Sequence, residues 1–352
     1  ANIGNTKLQW ETTARFTVGA QGSFFQNRLF LAANYFNSNT YNLLSLGTLS
    51  YVSGLSTNWI NDGRIHNQGI DVSAEAKLIA TKDWTWSLGA SMGHYKNTIK
   101  RLPKGVSEMT TDLYGATIIN RVGSAAGLFY GYKTNGVYAT TDEALNEGKY
   151  ILGANGVTKT YFEGGDMRFV DTDGNNEIND DDRVVIGDPN PDIYGNIFTT
   201  LTWKRLKLDV NFNYVSGNDV FNYMRSQLEG GSRFMNQTTT MTQRWQVEGQ
   251  ETSVPRISFQ DEMGNSRFSD RWIEDGSYIR LKSLTLSYDL PLNFQFLQGL
   301  QFWVQANNLF TLTHYLGSDP EFTATSSVIG QGIDIGSLGQ GRSFVAGIKI
   351  SL

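Results

Sequence analysis

Between Asp171 and Asp182 the chain reads Asp-Thr-Asp-Gly-Asn-Asn-Glu-Ile-Asn-Asp-Asp-Asp. Oxygen-bearing side chains fall at the first, third, fifth, ninth and twelfth places, as Asp171, Asp173, Asn175, Asn179 and Asp182. Glu177 holds the seventh place, where a calcium loop offers a main-chain carbonyl, and Ile178 the eighth. A hard divalent cation gathers about six to eight oxygens on such a turn. The spacing therefore predicts a structural Ca2+ site built from Asp171, Asp173, Asn175, Glu177, Asn179 and Asp182. Two places depart from the usual pattern. Asn176 stands where Gly is customary, although Asn accepts left-handed backbone. Asp182 closes the loop in place of the longer, bidentate Glu. The competing reading is an acidic surface turn held by its own side-chain-to-backbone hydrogen bonds.

Other reactive groups are sparse. The chain has no cysteine, which removes disulfides, thiolate metal sites and cysteine nucleophiles. Its three histidines, His66, His94 and His314, are scattered, with no pair at metal-binding spacing and no Ser-His-Asp arrangement. No catalytic residue emerges, and the chain reads as a protein without covalent chemistry. Trp59, Trp245 and Trp272 lie in long connecting segments, where an indole can stack on a sugar ring or a peptide side chain, or simply pack within the loop. Arg280 and Lys282 share strand parity with Leu284 and Leu286. That predicts either contact with anionic lipid headgroups or a solvated strand end.

The elements that carry these residues read as strands. Apolar and polar residues alternate over nine segments, 12–22, 28–37, 69–80, 83–96, 193–203, 206–216, 278–290, 300–310 and 343–352. In the third, Ile70, Val72, Ala74, Ala76, Leu78 and Ala80 oppose Asp71, Ser73, Glu75 and Lys77. In the last, Phe344, Ala346, Ile348, Ile350 and Leu352 share one face. Two-faced segments of about ten residues are the signature of a transmembrane β-barrel, a fold that places a protein in an outer membrane. No apolar run approaches the ~18 residues of a membrane helix. Composition agrees: 12% aromatic, 18% charged, 37 Gly and 6 Pro suit strands and turns. A net charge of −5 without a Lys/Arg cluster argues against nucleic acid as a partner. Trp84 and Trp86 open their strand where an inner aromatic girdle belongs.

Connections alternate in length. Segments 23–27, 81–82, 204–205 and 291–299 are short, whereas 38–68, 97–192, 217–277 and 311–342 are long. Outer-membrane barrels sort their loops this way, with short periplasmic turns and long extracellular loops. Nine strands is an odd number, and an unclosed sheet would leave bare edges in lipid. The expected architecture is all-β, with residues 1–352 forming the C-terminal portion of one larger barrel domain.

Several stretches resemble the SusC/RagA-like TonB-dependent outer-membrane transporters. Leu8-Gln-Trp10-Glu11-Thr12 is similar to the family's LKWE-T segment, Tyr35 to Leu44 to its YY-K-T-DLL stretch, and Ile65-His-Asn-Gln-Gly-Ile-Asp71 to IRNKGIE. Gly127 to Gly136 resembles G-FYGYKTDGI, and Gly165 to Pro191 resembles GD-RY-D-NGDG-I followed by IG-P-P. Trp272 to Lys282 resembles WLEDGSYLRLKN, while Asn308-Leu-Phe-Thr and Gly317 to Glu321 resemble the closing NLFT and DPE segments. Leu352 departs from the terminal Phe common in such barrels. The resemblance implies a barrel of about 22 strands with a plug, of which this chain would supply about nine. It also implies energy from TonB, a SusD-like surface lipoprotein as lid, outer-membrane lipid around the wall, and oligosaccharides or peptides as substrates. Polar residues such as Asn211, Asn213, Gln301 and Gln305 suit a path for neutral, hydrogen-bonding solutes. The alternatives are a TonB-dependent receptor for metal chelates or vitamins, a passive porin or surface adhesin, and a barrel-embedded hydrolase.

Overall fold

The structure, a computed structural model, describes residues 5–48, 57–291, 299–324 and 330–351. Nine strands form one antiparallel wall: β1 (Thr12–Phe24), β2 (Leu29–Tyr41), β3 (Arg64–Ala80), β4 (Trp84–Arg101), β5 (Ile193–Trp203), β6 (Leu206–Ser216), β7 (Tyr278–Leu290), β8 (Gly299–Asn307) and β9 (Ser343–Ser351). Each strand pairs with its neighbour in sequence, from β1 through to β9. A short strand, Thr311–Thr313, continues the place of β8 against the far end of β7. The nine segments read from alternation are the nine wall strands. The turn expected at 291–299 falls largely on residues 292–298, outside the described residues, as does Leu352.

Register carries the alternation across the wall. One rung runs Leu88–Thr199–Val210–Leu284–Ala306–Phe344, and the next Trp86–Leu201–Leu208–Leu286–Val304–Ala346. At the turn end, Trp84, Trp203, Leu206, Tyr288, Phe302 and Ile348 share a rung, and the Trp84 and Trp203 rings stack at 5.7 Å. The reverse face presents Asn34, Asp71, Ser91, Asn196, Asn213, Gln301 and Gln305.

The wall strands are longer than their alternating stretches. β3 begins at Arg64, not at Gly69, and β4 runs on to Arg101 past Lys96. In these extensions polar residues occupy both faces, so periodicity gives no signal although the backbone ladder continues.

Buried apolar side chains are mostly elsewhere. Val18, Ile70, Val72, Leu88, Ile197, Leu286, Val304, Phe344 and Ile348 on the wall are exposed. The packed clusters lie in the long connections. One joins Tyr132, Tyr138, Ala144, Phe162, Met167, Phe169, Ile178 and Met263. The other joins Ala116, Ile118, Phe129, Phe221, Trp272 and Ile333. The described residues of connections 102–192, 217–277 and 308–342 thus form one body at the long-loop end of the wall. It contains a four-stranded sheet in the first connection and a three-stranded sheet that draws on the second and third. A wall with apolar side chains outside and a cored loop body beyond it suits a molecule half immersed in hydrocarbon.

Candidate functional site

The polar face of the wall is a dense hydrogen-bonding surface. Ser91 Oγ donates to Asn196 Oδ1 at 2.5 Å, and Thr200 Oγ1 to Asp209 Oδ1 at 2.6 Å. Gln301 Nε2 donates to Asp289 at 2.8 Å, and Gln305 Nε2 to Asn307 Oδ1 at 2.6 Å. A cavity of about 430 Å³ opens on this face, with Asn34, Asp71, Ser91, Tyr194, Asn196 and Asn213 in its lining. Of the four polar residues read from sequence as path-lining, Asn213 lies in this cavity. Asn211, Gln301 and Gln305 lie on the same face away from it.

Aromatic rings on this face lie against glycines of the neighbouring strand. Tyr194 is directly opposite Gly93, Phe198 opposite Gly89, Phe36 opposite Gly69 and Trp303 opposite Gly347. A Cβ at Gly93 would come within 2.6 Å of Tyr194 Cζ, and one at Gly347 within 2.5 Å of Trp303 Cζ2. Glycine is required there because the rings lie flat on the sheet.

The carboxylate loop is ordered by the loop body. Oxygens of Asp171, Asp173 and Asp182 lie within 4.8 Å of one another. Asp182 is 1% exposed and accepts from Thr172 N at 2.7 Å and Asn179 N at 2.9 Å. Asp171 accepts from Gly174 N and Asn176 N, both at 2.8 Å. Burial alone would raise the Asp171 pKa; the N–H groups of Asn176 and Gly174 outweigh it and hold the carboxyl below its ordinary value. Gly174 and Asn176 both have positive φ, 77° and 65°. Ile178 plugs into the first cluster, and Tyr150 clips the loop through Tyr150 N to Asn176 O and Ile178 N to Tyr150 O. Asp171, Asp173 and Asp182 are thus brought together. Asn175 and Asn179 cap backbone N–H groups of Glu177 and Asp181, while the Glu177 carboxylate accepts from Asn179 Nδ2 at 3.1 Å. Of the three clustered residues Asp173 is exposed, Asp171 half-buried and Asp182 buried, and carboxylate oxygens are the donors a hard cation takes.

Sequence motifs meet as ties between loops. Asp166 is fully buried and receives Arg256 Nε and Nη2 at 2.8 and 3.0 Å and Asn265 Nδ2 at 2.9 Å, which joins the first connection to the second. Asp270 accepts from Thr134 Oγ1 at 2.7 Å. Trp272 is 1% exposed within the second cluster, and Trp245 lies against Gly165 and donates Nε1 to Ala139 O at 3.0 Å. These two indoles are packing residues; Trp59 is half exposed. His66 Nε2 pairs with Asn37 Oδ1 at 3.2 Å and His94 Nδ1 with Asp192 O at 2.6 Å, while His314 lies beside a separate surface cavity.

Arg280 overturns its sequence reading. A bulge at Lys282 lets Ser283 pair with Asn211 but Leu281 with Phe212, so strand parity flips. Arg280 turns to the polar side and is 2% exposed, beyond the reach of lipid headgroups. Its Nη2 meets Asp319 Oδ1 at 2.5 Å, its Nη1 meets Glu321, and its Nε donates to Thr311 Oγ1 at 2.9 Å. Tyr278 OH and Gln340 Nε2 add bonds to Glu321 at 2.8 and 2.7 Å. Lys282 Nζ donates to Gln340 Oε1 at 3.0 Å. No single-residue pattern forecasts a one-residue bulge.

A wall of two-faced strands, turned apolar side out beneath a cored loop body, defines an outer-membrane β-barrel protein. The chain belongs to the TonB dependent receptor-like, beta-barrel family, whose profile matches residues 1–192. It is 33% identical over 363 residues to TonB-dependent receptor P3 of Formosa agariphila, covering 99% of this chain and 35% of that protein. It is 24% identical over 371 residues to TonB-dependent receptor SusC of Bacteroides thetaiotaomicron, covering 98% and 32%. The structure of the RagAB peptide transporter superposes with a TM-score of 0.78 at 25% identity, over 99% of this chain and 36% of that one. The chain thus spans about a third of the length of the relatives it matches.

Proposed function

We propose that this chain supplies part of the barrel wall, with its loop body, in a TonB-dependent importer of oligosaccharides or peptides that works with a SusD-like surface lipoprotein. One observation carries the reading. A polar, hydrogen-bonding wall face lies beneath a loop body tied together at the motifs shared with SusC/RagA-like chains. Similarity to SusC and to the RagAB peptide transporter along nearly the whole chain supports the same reading. In the described residues β1 pairs only with β2, and β9 only with β8. Unpaired edges are costly in hydrocarbon, which supports a larger closed barrel in which these nine strands are one arc.

The test uses the full-length protein isolated from its own membrane. We expect a surface lipoprotein to co-purify in a stable complex, and uptake of an oligosaccharide or peptide by cells to cease when the inner-membrane energy supply to TonB is cut. Uptake that persists without that energy would support a passive pore instead. Uptake confined to metal chelates or vitamins would favour the other receptor class.

We propose in addition that Asp171, Asp173 and Asp182, with Asn175, Asn179 and the main chain of Glu177, hold a structural Ca2+. The clustered carboxylates and the two left-handed residues support this. Chelation should then speed proteolysis between about residues 165 and 190, and added Ca2+ should restore resistance. Indifference of that segment to chelator would leave the loop a self-capped turn.

A further inference from the structure

The extensions of β2, β3 and β4 beyond the apolar belt have two unlike faces. On the inner side, Asn97 and Ile99 are buried beneath the loop body, and Asn97 bonds to Asn190 Oδ1 at 2.8 Å and to Ala126 N at 2.7 Å. On the outer side Tyr41, Gln68, His94 and Lys96 are exposed and Asn37, Asn39, Arg64 and His66 half-buried. There the rung of Tyr35, Ile70 and His94 is followed by Asn37, Gln68 and Lys96, then by Asn39, His66 and Thr98, and finally by Tyr41 and Arg64. These residues continue the face that carries Val72, Met92 and Leu88 in the belt below.

The patch is cationic. Arg64 stacks over the Tyr41 ring at 4.6 Å and donates to Asn39 Oδ1 at 3.0 Å and Tyr41 OH at 3.3 Å, with no carboxylate partner among the described residues. Lys96 is exposed and has no hydrogen bond or ion pair among the described residues. Asp62, at the upper margin, is held by Arg101. The acidic residues of these strands, Asp71 and Glu75, point to the opposite face. Arg64 and Lys96 lie about 13 Å apart along the strand direction, four residues at roughly 3.3 Å each, with the amide groups of Asn37, Asn39 and Gln68 between them.

We propose that this patch docks a phosphate-bearing lipid headgroup of the outer leaflet. Two observations select that partner. The patch is continuous with the lipid-facing belt on the same strand face, so a lipid seated there keeps its chains on Val72 and Met92. Its charge is complementary to phosphate, and the neutral amides and Tyr41 hydroxyl offer hydrogen bonds to a sugar-like or glycerol headgroup. The proposal rests on residence in the outer membrane and is independent of which solute is carried.

The test places the full-length protein in nanodiscs of phosphatidylcholine doped with lipid A, and counts retained lipid A by native mass spectrometry. Arg64→Gln together with Lys96→Gln should lower retention on the order of tenfold. Raising NaCl to about 0.5 M should weaken the parent more than the variant. Lys82→Gln, at the opposite end of the wall, should change nothing. Unchanged retention in the double variant, or an equal loss in Lys82→Gln, overturns the proposal. Displacement of lipid A by inorganic phosphate at low millimolar levels would make the patch a free-anion site and overturn the lipid assignment. Lys96→Gln alone, whose side chain has no partner to lose, should retain the fold and show a smaller loss of lipid A in the same direction.

Discussion

Arg280 makes the sharpest demand on its surroundings. Two carboxylates, a hydroxyl and the ring of Tyr278 enclose a guanidinium that is nearly sealed from water. Removing one side of a buried pair strands the other, at a cost of about 3–5 kcal/mol. Arg280→Met should therefore destabilise the loop body by that order, read as accelerated proteolysis of segment 314–342. The clamp also has a pH signature. Burial would raise the Asp319 pKa, but the N–H groups of Glu321 and Gln340 and the Arg280 guanidinium outweigh it and depress the value. A depressed carboxylate stabilises the fold above its unfolded value of about 3.9 and loses that stabilisation as pH falls through the folded value. The segment should stay protease-resistant at about pH 5 and loosen below about pH 4. In the carboxylate loop, Asp182→Ala leaves two N–H groups without their acceptor and should cost at least about 2 kcal/mol. With Ca2+ removed by chelator, Asp173→Ala, which then loses only exposed turn bonds, should cost less than about 1 kcal/mol. Equal effects would contradict the division of labour between these two residues.

At the level of elements, the strands were legible because burial in lipid imposes the same alternation as burial in a core. The alternation marks every wall strand, and marks β5, β6 and β7 to their ends. Errors arose where that constraint lapses. Above the belt, polar residues on both faces erase the period, so the alternation stops short of the upper ends of β3 and β4. In β7 a bulge reversed parity and sent Arg280 to the wrong side. The cored loop body is invisible for another reason: its clusters join residues more than a hundred positions apart, such as Ile118 with Phe221 and Ile333, and only folding brings them together. The carboxylate loop was legible because its residues are contiguous. The wall itself makes a contrast that can be measured. Val210 sits in the middle of the lipid-facing belt, so Val210→Arg should cost roughly 2–4 kcal/mol. Asn211→Arg, one residue along on the polar side, should cost roughly 1 kcal/mol or less. Equal losses on thermal unfolding in lipid would contradict the assignment of faces. Gly93→Val should displace Tyr194 from the sheet and lower stability, and Tyr194→Ala in the same chain should recover part of the loss.

For the whole molecule, the two halves rely on different solvents. The wall gains from hydrocarbon outside it, and the loop body from its own packed interior. Detergent exchange should therefore alter the thermal stability of the wall strands more than the protease resistance of segments 116–170 and 217–275. The ties at Asp166, Asp270 and Arg280 bind the three long connections to one another and to the wall, so these loops should move as a unit when hydrogen exchange is followed. Independent opening of a single loop would contradict that reading.

The second apolar cluster joins Ile118, Phe221, Trp272 and Ile333, which arrive on three separate excursions from the wall. None of these excursions holds enough of the cluster to close it alone. The cluster therefore depends on the wall strands that launch these excursions standing side by side in the right order. A barrel with its strands in another order would leave Phe221 and Trp272 without the partners that bury them.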